Sequence, residues 1–305
     1  MKPLKADLVM LIATMCLGSA YLFVKMGLGS LEVFNLNGLR FGIAFIVAGA
    51  IFYRKLRNIN VKTLLFAVLQ GFLLFLVVSS ISFGLKSTST SNASFLVSLT
   101  VVIVPLISAV IFKKKLEQKM IYSIMLAISG IGFLTIKFPF HFAIGDLFCI
   151  AAAFSYAFHI IVVGVSSKKA DPISLGVLQL GFAALFSFIC SFLFETPALP
   201  SSAISWMAIL ALGIVCSAIG FILQTIASKY STPTRIGLIF SLEPVFAAIL
   251  GYFFANEVMS VTGYIGASLV LLSVILSTDI KLNSLSVWKS KLAKVQYPFL
   301  SNKNT

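Results

Sequence analysis

The chain has 305 residues, 59% of them hydrophobic and only 10% charged, with a mean hydropathy of +1.07. A soluble domain carries about 25% charged residues, so this composition excludes a water-solvated globule and calls for lipid as the solvent. The net charge of +14 would suit nucleic acid, but it is spread over short loops between apolar runs, where it reports topology instead.

A bilayer crossing needs about 20 mostly apolar residues. Such runs are predicted at roughly 7–27, 36–53, 63–84, 93–112, 119–136, 145–165, 173–194, 203–227, 235–255 and 259–278. Lys2 and Lys5 precede the first run in the manner of a signal peptide, but it is long and has no small-x-small cleavage site, so it reads as a retained helix. The fold class expected is all-α membrane, with ten transmembrane helices. The spans and short loops use up the length, which excludes an extramembrane catalytic domain. Beyond residue 280, Leu285, Trp288, Leu292 and Val295 recur at helical spacing among Lys289, Lys291 and Lys294. That tail reads either as a helix lying on an anionic cytoplasmic leaflet or as a disordered basic segment.

Lys and Arg concentrate in alternate loops. Those near residues 58, 116, 169 and 231, with both tails, hold 19 of the 23, whereas the opposite loops hold only Lys86 and Lys137. The positive-inside rule then puts both termini in the cytoplasm.

The two halves resemble each other. Ala6-Asp7-Leu8 opens the first span and Gly145-Asp146-Leu147 the sixth, 139 residues apart; Ser98-Leu99-Thr100 matches Ser241-Leu242-Glu243, 143 apart. A four-residue insertion between the two anchors accounts for the change of offset. Five spans per half is an odd number, so the second copy enters the membrane upside down. The expected division is 1–139 and 140–280 as inverted five-helix repeats, with 281–305 as a basic tail. Inverted repeats are typical of secondary transporters, whose solute site lies near the midplane between the repeats.

Charged and polar groups at membrane depth are costly and normally face the protein interior. Arg40, between Gly38 and Gly42, offers a guanidinium fork for a carboxylate or phosphate; the alternative is a snorkelling or bracing arginine. Its counterpart 139 residues on is Gln179. Glu243 stands before Pro244, which loosens the helix, so its carboxyl is a candidate for cation or proton binding, or else a brace between helices. Ser155 and His159, four residues apart and so on one helix face, flank Tyr156 and are candidates to line a polar cavity. Lys25 is expected to pair with Glu32 or with headgroups. Gln70, Asn92, Ser94, Ser98, Gln224 and Thr225 read more simply as hydrogen bonds between helices.

Gly18-Ser19-Ala20-Tyr21-Leu22-Phe23-Val24-Lys25 resembles the opening motif of the EamA family in the drug/metabolite transporter superfamily. So does Leu39-Arg40-Phe41. Ser241-Leu242-Glu243-Pro244-Val245-Phe246-Ala247-Ala248, followed by Asn256-Glu257, is similar to that family's most typical segment. The resemblance reaches residue 278. It implies ten helices in an inverted five-plus-five repeat and solute movement without ATP hydrolysis. Two features depart from the family pattern. Leu17 stands where the first span usually has Trp, with Tyr156 at the matching place in the second half, and Lys113-Lys114-Lys115 replaces the usual acidic end of the fourth span.

The expected function is a secondary transporter, an exporter of a small organic metabolite such as an amino acid, working by alternating access in the cell membrane. A passive channel or a membrane-embedded enzyme is the alternative. No P-loop, H-E-x-x-H or G-x-S-x-G pattern occurs, so no catalytic residue is expected. The four cysteines all lie in apolar runs and the histidines number only two, so neither a metal nor a cofactor is expected. The partners expected are the solute and the bilayer, not nucleic acid, with a homodimer left open.

Overall fold

A computed structural model of the protein describes residues 1, 3–57, 59–88, 90–113, 116–135, 143–247, 249 and 261–277. Every regular element among them is a helix. In chain order, α1 comprises Pro3–Gly18 and Ala20–Gly27, α2 Val33–Ile51, α3 Val61–Ser87, α4 Thr90–Ser98 and Thr100–Phe112, α5 Gln118–Thr135, and α6 Ile144–Ser166. They are followed by α7 (Pro172–Phe194), then α8 (Ala203–Leu210, a π-helical stretch Ala211–Ile219, and Gly220–Ser228), α9 (Pro233–Phe240, resuming at Glu243) and α10 (Val261–Ser277).

Seven of these are long and apolar enough to cross a membrane: α1 to α4 and α6 to α8. The expected crossings at 119–136 and 259–278 correspond to α5 and α10, which pack along each other and bury Gly130 against the Gly266 carbonyl. The expected span 235–255 is described only to 247 and at 249. The basic tail, the 139/140 boundary and Asn256-Glu257 lie outside the described residues.

Local chemistry starts the helices where the apolar runs begin. Asn60, Asp171, Ser202 and Thr232 each accept a hydrogen bond from the backbone N–H three residues on, satisfying a donor the helix itself leaves unpaired. Pro172 and Pro233 follow two of these caps, where a missing N–H costs nothing. The outward surface is apolar: Ile46, Val110, Phe192 and Val261 are each more than two-thirds exposed, as suits hydrocarbon and not water.

The contacts between helices repeat. α1 lies against α8 as α6 lies against α3, α2 against α8 as α7 against α3, and α1 against α9 as α6 against α4. The pairs α2–α7, α4–α9 and α5–α10 join each helix to its own counterpart. Close approaches repeat as well. A Cβ on Gly71 of α3 would lie 2.9 Å from the Gln179 carbonyl oxygen of α7, and one on Gly213 of α8 would lie 3.0 Å from the Arg40 carbonyl oxygen of α2. Gly71 and Gly213 are 142 residues apart, like the caps Asn60 and Ser202, so most of the four-residue insertion falls between α2 and α3.

The α2–α7 pair is fastened at both ends. The Glu195 carboxylate accepts hydrogen bonds from the Phe34 and Asn35 backbone N–H groups at 2.9 and 2.8 Å, capping α2 from the end of α7. At the other end, Ser174 donates to the Lys55 carbonyl at 3.0 Å.

Candidate functional site

Three helices are interrupted at one level. α1 breaks at Ser19, α4 at Leu99 and α9 at Ser241–Leu242. At each break a hydroxyl competes for a backbone carbonyl three residues back: Ser19 takes that of Cys16 (2.7 Å), Thr100 that of Val97 (2.5 Å) and Ser241 that of Leu238 (2.6 Å). The N–H groups of Leu99, Ser241 and Leu242 also turn to carbonyls three residues back, which tightens the chain into 3₁₀ geometry. In α9, Pro244 has no N–H to offer the next turn. The breaks in α1 and α9 border a cavity of about 420 Å³, counted out to its mouth.

Its wall takes Leu17, Ala20, Tyr21 and Val24 from α1, Arg40 from α2, and Val77, Val78, Ile81 and Ser82 from α3. Tyr156, Phe221 and Glu243 close it from α6, α8 and α9. A smaller neighbouring cavity of about 200 Å³ shares Tyr156 and Glu243 and is lined besides by Ser98 and Thr100 of α4 and Ser241 of α9. Arg40 is 3% exposed. Its Nε donates to Ser217 Oγ at 3.0 Å, and the guanidinium carbon stands 4.9 Å from the Phe41 ring centre. Ser217 can do this because it lies in the π-helical stretch of α8, which packs on α2 through Gly213. With Nε taken, the two terminal amino groups remain as a fork of donors on a residue that lines the cavity.

Glu243 is 8% exposed and interacts side chain to side chain with Tyr21. The backbones of α1 and α9 meet behind it: a Cβ on Gly18 would come 2.9 Å from the Glu243 carbonyl oxygen. A glycine there is a condition of that contact. Arg40 and Glu243 do not form an ion pair with each other. One cavity is thus lined by a guanidinium and a carboxyl that are not paired with each other.

Of the polar candidates at membrane depth, Arg40 and Glu243 line this cavity, and His159 and Gln179 do not. His159 and Gln179 sit behind the wall and bond each other, His159 Nε2 to Gln179 Oε1 at 3.0 Å, while Gln179 Nε2 donates to Thr225 at 3.1 Å. Their connection to the cavity is indirect, through rings: His159 lies 6.0 Å from Tyr156 and 6.2 Å edge-on from Phe221, and both of those line it. Ser155 lines neither cavity, because it precedes Tyr156 by one residue and is turned about 100° around α6. Tyr156 faces the cavity across from Leu17, its counterpart.

Glu32 pairs with Lys86 at 2.5 Å and not with Lys25, since α3 ends beside the start of α2. Gln70 bonds Ser166 between helices, as expected. Among the described residues no cluster of His, Cys, Asp or Glu could hold a metal. Sequence reasoning passed over Tyr21, Ser82, Ser217 and Phe221. Tyr21 stood within a quoted motif, and Ser217 lay unmarked in a run of small residues.

Comparison with known proteins bears on the whole chain. The model of the EamA-like transporter family matches it twice, over residues 4–136 and 143–278. A protein of Archaeoglobus fulgidus named an uncharacterized transporter is 27% identical over 275 residues, covering 90% of this chain and 86% of its own. The uncharacterized transporter YetK of Bacillus subtilis is 24% identical over 283 residues, covering 86% and 84%. A solved crystal structure superposes with a TM-score of 0.76 at 21% identity, over 90% of this chain and 96% of its own; that likeness speaks to the fold alone.

Proposed function

Because the chain belongs to the EamA-like transporter family and is a multi-pass membrane transporter, we propose that it exports a small organic metabolite, such as an amino acid, by alternating access. The observation that carries this reading is the unpaired coexistence of Arg40 and Glu243 on one cavity. A solute with a carboxylate finds a guanidinium fork, and its amino group finds the carboxyl of Glu243 across the same space. Tyr21, Tyr156 and Phe221 supply apolar and hydrogen-bonding surface between them. Glu243 also serves to couple movement to an ion or proton.

The architecture that goes with it is ten spans, as inverted repeats 1–139 and 140–280, in the cell membrane. Both termini are cytoplasmic, following the loop charges. The exchange symmetry of the helix contacts and the twofold family match support the repeat. In this orientation α1 and α3 end at the outer face, so the cavity, which reaches Val24, Ile81 and Ser82, faces outwards. Interrupted helices at its level are the usual way a transporter offers backbone groups to a solute.

The test is exchange of radiolabelled amino acids across proteoliposomes containing the purified protein. Saturable exchange, accelerated by unlabelled amino acid on the far side, is expected. Flux that rises linearly with concentration would mean a channel, and no flux for any amino acid would remove that solute class.

A further inference from the structure

An inverted repeat carries a description of its own second state, because each half can adopt the conformation now held by the other. Residues that line the present cavity therefore have counterparts that line it when it opens the opposite way. The offset is 139 for α1 and α2 and 142 for α3. It takes Ala20, Tyr21 and Val24 to His159, Ile160 and Val163, Arg40 to Gln179, and Ile81 and Ser82 to Leu223 and Gln224.

We infer that His159, Ile160, Val163, Gln179, Leu223 and Gln224 form the wall of a second, cytoplasm-facing vestibule. It is closed in the present conformation and opens to the solute in the other. The inference rests on the alternating-access reading above.

An independent observation supports it. All of these except Leu223 are 0% exposed, yet Gln224 has no hydrogen-bond partner for either its Nε2 or its Oε1, and His159 Nδ1 has none. A buried amide with both ends unpaired is costly in a single-state structure and rare for that reason. A path that is wet for part of each cycle explains it. The counterpart of Gln224 is Ser82, which already lines the open cavity. Closure has a visible agent, the ion pair of Asp7 and Arg235 at 2.7 Å, with side chains 10% and 16% exposed, tying α1 to α9 near their cytoplasmic ends.

The counterparts of the outer lining differ in kind. The outer cavity holds a cation and a carboxyl, whereas the inner wall offers a neutral amide pair and an imidazole. The solute is thus held by charge in the middle and only by hydrogen bonds on the cytoplasmic side.

The test uses the full-length protein with its four cysteines replaced and single cysteines introduced as Gln224→Cys, Leu223→Cys or Ser82→Cys. Each is exposed to a charged, membrane-impermeant methanethiosulfonate reagent from one face at a time, and each variant is also assayed for amino-acid exchange in proteoliposomes. Positions 223 and 224 are expected to react from the cytoplasmic face of inside-out vesicles, and position 82 from the outer face of right-side-out vesicles. Adding Arg235→Gln, which removes the ion pair, should speed reaction at 223 and 224 and slow it at 82, as a shift between two states requires. Two cysteine positions guard against one substitution spoiling the fold. If 223 and 224 stay unreactive from the cytoplasm in protein that still exchanges amino acids, the vestibule is wrong and the transport reading stands. If 82 alone reacts and no exchange occurs, the vestibule is wrong and the amino-acid reading falls with it.

Discussion

Arg40 and Gln179 occupy equivalent places on α2 and α7, the two helices that pair with each other, and they have opposite fates. Arg40 spends one nitrogen on Ser217 and lines the cavity. Gln179 spends both ends of its amide internally, on His159 and Thr225. The scaffold repeats, down to the glycines that admit a neighbour's backbone, while the chemistry does not. A duplicated fold supplies two equivalent positions, and the proposed solute site needs only one of them charged. The second is then free to become part of the wall.

The largest test of that contrast removes the two side chains in turn. Losing a buried charged partner costs about 2–5 kcal/mol, so Arg40→Ala should slow amino-acid exchange roughly 30-fold or more, with Arg40→Lys intermediate because it keeps the sign and loses the fork. Gln179→Ala should leave exchange within about threefold, since bonds between membrane helices average about 0.6 kcal/mol. Equal losses in proteoliposomes would mean that both halves bind the solute.

Glu243 and its counterpart Thr100 sharpen the comparison from the coupling side. Glu243→Gln should abolish accumulation driven by an imposed proton gradient while sparing solute-for-solute exchange, because the amide keeps the shape and cannot release a proton. Thr100→Ala should leave both intact. Undiminished uptake in Glu243→Gln vesicles would make the carboxyl a brace.

The glycine pair probes the half of the comparison that is symmetric. Gly71→Ala and Gly213→Ala each press a methyl on a neighbour's backbone, so both should lower stability by about 1–3 kcal/mol, the usual cost of overpacking. The thermal midpoint in detergent reads this, and a large loss at one site alone would show that the halves are packed differently. The smallest effect is expected from Gln179→Leu. It removes two helix-to-helix hydrogen bonds at about 0.6 kcal/mol apiece, so its midpoint should shift little.

Much of the fold was legible because hydropathy and loop charge act over 20 residues at a time. Among the described residues the apolar runs predicted the helix bounds to within a few residues, and Asp7 with Asp146 suggested the first offset. The breaks at Ser19, Leu99 and Ser241 were not legible, since they come from one hydroxyl and one carbonyl each and leave the hydropathy of the run unchanged. Nor was the π-helical stretch of α8, which is as apolar as any other turn. At the site, depth along a helix was readable and the angle around it was not. Arg40, Glu243, His159 and Gln179 are all polar within apolar runs, which turns them inward without saying which face of the helix each takes, and a quarter-turn separates the cavity face of Tyr156 from Ser155. Tyr21 was overlooked because tyrosine is expected at an interface, whereas here it stands against Glu243.

The Glu195 cap has a mechanical meaning. A carboxylate at the end of α7 holds the first turn of α2, and at the far end a serine of α7 holds the Lys55 carbonyl just beyond α2. Fastened at both ends, the two helices are tied into one unit, and each half of the molecule contributes one of them. In the proposed alternating-access cycle, tilting either half would carry the other half's helix with it, so that a gap widening on one side narrows on the other. On that reading the fastening would oppose the leak that follows from both sides gaping together, before any solute arrives.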